Sequence, residues 1–193
     1  MKKLTLTFSL AVIAATITAS AEAPADQKAI AMEGVRYIKM LGKELKSNVM
    51  KRMKDDPSGL QSAYFCSKSA ERITKEINAK FPEGIRVRRT ALKIRNPKNA
   101  PDATDLKVLK KMEAESKEGT LKKKPVVVQA DGVNRVYVPL FVEKGCLKCH
   151  GPVDRIDPKV RKLLAEKYPH DQAVGFKKGD LRGVVVAEIP VEK

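Results

Sequence analysis

From Gln27 to about Lys54, apolar residues return every three or four positions. Ile38, Leu41, Leu45, Val49 and Met53 mark one face, with Lys and Arg between them. That is the period of an α-helix, so the spacing predicts one long helix over 27–54. Asp55, Asp56, Pro57, Ser58 and Gly59 interrupt it. A second stripe, Leu60, Ala63, Cys66, Ala70, Ile73 and Ile77, predicts a helix over 60–80 with Cys66 pointing at the core, and Pro82 and Gly84 end it. From Ile85 the period shortens to two. Apolar residues fall at Ile85 and Val87, then at Leu92 and Ile94, so the alternation slips once and predicts a bent or bulged strand. "NPKNAPD" is a loop by its Asn and Pro content, followed by a short charged helix over 102–117 that Gly119 stops. Two β-rich runs, 125–130 and 134–142, flank Asp131-Gly132, a strong hairpin signal. A helix over 158–168 and a final strand, "GVVVAEIPV", complete the chain. Helices first and strands after predict an α+β domain with an antiparallel sheet of about five strands.

The first residues change the picture. Lys2 and Lys3 precede an apolar run from Leu4 to about Ile17, too short for a stable bilayer anchor, and "TASAEA" follows. A signal peptide over 1–21, cut after Ala21, fits this pattern. It leaves a single domain over 22–193, with a core region over 59–193 behind the N-terminal helix. The formal charge falls from +16 to +14 when Lys2 and Lys3 are removed. In an exported protein that excess faces membrane surfaces, acidic partner proteins or anionic cofactors rather than nucleic acid.

The chemistry is concentrated in "EKGCLKCHGP", which holds Cys146, Cys149 and His150. A structural zinc site needs four protein ligands, so this pair of thiols would have to recruit Cys66 and His170. A thioredoxin-like redox pair opens a helix inside a βαβ unit, and no such unit surrounds it. Haem attachment requires what is present: two thiols two residues apart for the two vinyl groups, and an adjacent histidine for the iron. Cys146 and Cys149 are therefore the expected covalent haem c attachments, and His150 the proximal iron ligand.

With two thiols consumed, Cys66 has no partner for an intramolecular disulfide, and it is either a small buried hydrophobe or a distal thiolate ligand. His170 in "KYPHDQAVG" competes for the distal place, and Met32, Met40, Met50, Met53 and Met112 read as packing. Arg88, Arg89 and Arg95, on or beside the bent strand, are candidates for haem propionates, with surface charge as the plain alternative.

Together "GLQSAYFCSKSAERIT", "RRTALKIRNPKNAPD", "CLKCHGP" and "YPHDQAVGFKKGDLRGVVVAEIPV" resemble a family of single-haem c-type proteins with a PAS-like fold. They occur as small exported proteins and as the extracytoplasmic part of some sensor histidine kinases and cyclases. The resemblance implies iron held by a histidine and a cysteine, the cysteine falling on Cys66. With no kinase, cyclase or membrane span after Lys193, the chain is expected to be the standalone form. A thiolate ligand favours ferric iron and leaves no vacant place for a substrate, which argues against an enzyme, a peroxidase included. On reduction Cys66 could leave and open the iron to CO or NO. The expected role is thus a periplasmic redox or gas sensor with a signalling or redox protein partner. The alternative is an electron carrier that docks its basic face on acidic partners.

Overall fold

The computed structural model describes residues 24–191, so the expected signal peptide lies outside the described residues. Helix α1 (Pro24–Asp55) occupies the range its period predicts. Its apolar face, Tyr37, Ile38, Leu41 and Leu45, is buried against the sheet. Gly34 sets how closely it lies there: a Cβ at that position would fall 2.4 Å from Val136 Cγ2. The carboxylate of Asp56 then accepts from the amides of Ser58 and Gln61, at 3.0 Å each, and turns the chain into the next helix.

The helix expected over 60–80 is two helices, α2 (Leu60–Lys68) and α3 (Ala70–Asn78). They meet at Ser69, whose φ of −116° departs from the helical value of about −63°. The break resets the helical phase. α2 buries Ser62, Ala63 and Phe65, whereas α3 buries Ala70, Ile73 and Ile77. Cys66 therefore leaves the common stripe on which its period placed it and is exposed rather than in the core.

The sheet has four strands among the described residues, in the order β1-β4-β3-β2, all antiparallel. β1 (Arg86–Thr90) is shorter than the expected bent strand: it ends where the alternation slips. Gly183 sits opposite that end at φ 149°, and a Cβ there would lie 2.5 Å from Thr90 O, so only glycine lets the two backbones pass. β2 (Val126–Ala130) and β3 (Val133–Phe141) form the expected hairpin, with Asp131 at φ 55° and Gly132 at φ 75°, the two left-handed residues of a type I′ turn. β4 (Leu181–Pro190) is central and buried on both faces. Val185, Ala187 and Ile189 pack toward α1 and α3, and Val184 and Val186 pack toward α4 (Ala103–Lys117) with Leu109, Met112 and Tyr137.

The free edge of β1 is occupied by a side chain. Asn78 donates to Val87 O at 2.8 Å and accepts from Val87 N at 2.6 Å, standing in for a neighbouring strand. On the α4 face, Asp102 and Asp105 form a reciprocal capping box. Asp105, fully buried, also takes both terminal nitrogens of Arg88, at 2.6 and 3.0 Å, and the Tyr137 hydroxyl at 3.0 Å.

Candidate haem site

The motif folds as a short turn into helix α5 (Leu147–His150), followed by α6 (Pro158–Lys167). Three residues apart on one helical turn, Cys146 and Cys149 lie on the same side. They meet different neighbours: Cys146 packs beside Val142, Ala173 and Phe176, and Cys149 beside Ala63, Ile156, Val160 and Leu164. Cys149 Sγ is 3.9 Å from Gly59 O, at the start of the helix that carries Cys66. A Cβ on Gly59 would come within 3.0 Å of Lys148 Cβ, so the glycine allows α2 to begin against the motif. No disulfide joins any of the three cysteines.

His150 is held from behind. Its Nδ1 lies 2.7 Å from Ala173 O, and the amide of Phe176 donates to His150 O at 3.0 Å. Phe176 also meets the ring edge-on, with centroids 6.4 Å apart. Burial, with help from the charges of Arg95 and Arg182, holds the imidazole pKa well below the usual histidine value, so the ring is neutral at physiological pH. A carbonyl can only accept, so Nδ1 carries the proton and Nε2 is left with a free lone pair. This is the arrangement of a metal-binding histidine.

Cys66 is open to solvent, yet burial pushes its thiol pKa up against the pull of Arg89, Arg95 and Arg52. A side chain that is open at one side and closely surrounded on the others satisfies both, and Cys66 with Arg89, Arg95, Cys149 and Tyr168 makes up the candidate cleft. Cys149 and Tyr168 are within electrostatic reach of Cys66. Burial raises the Cys149 thiol to about 11, so neither of these two thiols is an activated nucleophile by itself.

The three arginines singled out by sequence part company. Arg88 faces α4, ion-paired with Asp105 at 2.6 Å and Glu188 at 2.7 Å, and does not turn toward the cleft. Arg95 is at the site but engaged: Nε donates to Asp171 Oδ2 at 2.8 Å, and Nη2 donates to Cys149 O at 2.6 Å and Ala173 O at 3.1 Å. Arg89 makes no hydrogen bond or ion pair with the described residues, and burial beside Cys66 and Tyr168 lowers its pKa. Arg182, on β4, joins it. Burial lowers its pKa to about 10, and its only hydrogen-bond acceptor among the described residues is Lys93 O, at 3.0 Å. Sequence reasoning missed Arg182, Tyr168 and Asp171. They lie in loop or strand positions whose convergence only the fold creates.

Of the competing ligands, His170 is exposed, Met32, Met40 and Met50 are exposed, and Met112 is buried on the α4 side of the sheet. Among the described residues no three His, Cys, Asp or Glu side chains converge as a metal site. A haem iron makes no such demand, since the porphyrin supplies four ligands and the protein one or two. The free Nε2 of His150, the paired thiols on one turn and two guanidiniums lacking a carboxylate partner all fit an anionic haem.

The architecture and this cleft define an α+β protein with a histidine-bearing C-x-x-C-H site set against an antiparallel sheet. The chain belongs to the Tll0287-like family, whose family model matches residues 13–190. Its fold is similar to that of the cyanobacterial heme-protein Tll0287 in its crystal structure, with a TM-score of 0.59 and 26% identity over 89% of this chain and 99% of that one. A comparison with curated proteins finds no match.

Proposed function

We propose that this is an exported protein that carries one haem c, bound covalently through Cys146 and Cys149, with His150 and Cys66 as axial ligands in a PAS-like frame. Its role in this reading is to sense redox state or a diatomic gas. The observation that carries it is the fixed tautomer of His150, whose Nδ1 is committed to Ala173 O and whose Nε2 is left for iron, with Arg95 within electrostatic reach of both His150 and Cys66. A bound haem supplies a one-electron couple and, where an axial place is free, a site for CO or NO.

The residues divide the remaining tasks. Arg89 and Arg182, without carboxylate partners among the described residues, are suited to the two propionates. α2 is a nine-residue helix bounded by Gly59 and the break at Ser69 and tied to α1 by Ser62 Oγ on Val49 O at 3.2 Å, so in this reading Cys66 leaves the iron by a slide of this short helix against α1. That gives the two-state element that a sensor requires. A second reading, an electron carrier for acidic partners, is favoured by the formal charge of +14 that remains once Lys2 and Lys3 are removed from the full chain's +16.

The test begins with protein recovered from a periplasmic fraction. Its intact mass is expected to correspond to a chain starting at Glu22 plus one haem. Optical and EPR spectra of the ferric form, recorded beside Cys66→Ala, are expected to lose a thiolate-ligated low-spin signature in the variant. A mass without haem overturns the attachment, and superimposable spectra remove Cys66 from the iron.

A further inference from the structure

Two donors meet on one carbonyl. Ala173 O lies 2.7 Å from His150 Nδ1 and 3.1 Å from Arg95 Nη2. The same guanidinium is anchored on Asp171 Oδ2 at 2.8 Å, and Asp171 Oδ1 accepts from the Ala173 amide at 2.8 Å. The ion pair is 12% exposed at each side chain, so water competes little for it. A cation, its counter-ion and the ligand histidine therefore share one residue, the first and last on the Ala173 carbonyl and the counter-ion on its amide.

The strength of the Nδ1–H bond governs how much electron density the imidazole can give through Nε2, because a more basic acceptor draws the proton away and makes the ring a stronger donor. A guanidinium on that acceptor lowers its basicity. A carboxylate on the guanidinium offsets part of the effect. We propose, resting on the haem reading above, that Arg95 and Asp171 form a positioning and tuning pair. Arg95 holds the His150–Ala173 bond weaker than an unshared carbonyl would make it and so favours ferrous iron, and Asp171 limits the effect. A plain staple would join Cys149 O to the loop over 171–173 without any directional influence on the iron.

The experiment uses the purified protein, Arg95→Gln and Asp171→Asn, with Arg95→Lys as a charge-preserving control. Arg95→Gln is expected to raise the ferric-to-ferrous ratio at fixed ambient potential on the order of tenfold, which is ~59 mV for a one-electron couple. Asp171→Asn is expected to shift it the opposite way while keeping an oxygen for the Ala173 amide. In the reduced, diamagnetic protein the Nδ1–H proton resonance of His150 should move downfield in Arg95→Gln and upfield in Asp171→Asn. Arg95→Lys should stay nearer the wild type in potential than Arg95→Gln. Shifts of the same sign in the two variants, or potential shifts with the Nδ1–H resonance unmoved, overturn the proposal. If Arg95→Gln does not fold, Asp171→Asn decides alone, and an unchanged or lower potential there overturns it. Wild-type protein that carries no haem would defeat the functional reading instead, and the Nδ1–H resonance would still test the shared-carbonyl network.

Discussion

Arg88 and Arg89 are adjacent on β1 and have opposite surroundings. Successive side chains on a strand point to opposite faces, so one guanidinium reaches Asp105 and Glu188 under α4 while the other faces Cys66 and Tyr168. Removing Arg88 leaves the fully buried Asp105 with the neutral donors Tyr137 and the Asp102 amide, and with Arg135 only at 3.7 Å. Arg88→Ala is therefore expected to lower the unfolding free energy by about 3–5 kcal/mol, read by urea titration, with the haem spectrum of the folded fraction unchanged. Arg89→Gln should do the reverse, staying within about 1 kcal/mol of wild type in stability while lowering the fraction of chains that carry haem. Equal effects of both on haem content would show that the two faces are not functionally distinct. Sequence alone could nominate both arginines and not choose. Period two says only that neighbours diverge, and the register against β4 decides which face is which.

At the scale of elements, local signals were enough wherever they were self-contained. The long apolar stripe of α1, the Asp102 cap and the Asp131-Gly132 turn each carry their geometry in a few consecutive residues, and each forms where its pattern lies. What was not legible depended on distant contacts. The stripe across 60–80 reads as one helix, and on either side of its break at Ser69 the two halves share α1 as a partner but differ in the second one, α6 for α2 and β1 for α3. The close approach of α1 to the sheet is likewise a tertiary fact, carried by Gly34. Gly34→Ala would place a methyl 2.4 Å from Val136 Cγ2 and 2.5 Å from Val136 Cβ, which no rotamer change of Val136 relieves. The gain in helix propensity from Gly to Ala is about 1 kcal/mol, and overpacking costs about 1–3 kcal/mol. Net destabilisation is thus expected in a thermal melt. The control Gly42→Ala, where a Cβ meets nothing within 4 Å, should instead be neutral or stabilising. A stabilised Gly34→Ala would mean that α1 does not lie flush on β3.

For the whole molecule, the charge that sequence reported as a total acquires a location. Arg89, Arg95 and Arg182 gather around the cleft, and Asp171 is the one carboxylate bonded to any of them among the described residues. Part of the +16 therefore surrounds the proposed cofactor rather than being spread over a solvated surface. Haem propionates would neutralise some of it, and the excess of lysine and arginine beyond the cleft would remain. Reduction of the ferric protein by a small anionic reagent should thus be fast at low salt and slow markedly as ionic strength rises from about 0.01 M to 1 M, where the screening length falls from about 30 Å to about 3 Å. A neutral reductant should show little dependence, and Arg182→Gln should flatten the slope for the anionic one. The comparison separates the two functional readings. An electron carrier must show the same steep salt dependence with an acidic protein partner and keep both axial ligands through the cycle. A sensor must instead lose the thiolate signature of Cys66 on reduction, and a gas sensor must then bind CO or NO in its place. Salt-independent reduction by the anionic reagent would place the excess charge away from the cleft and undercut the assignment of Arg89 and Arg182 to the propionates.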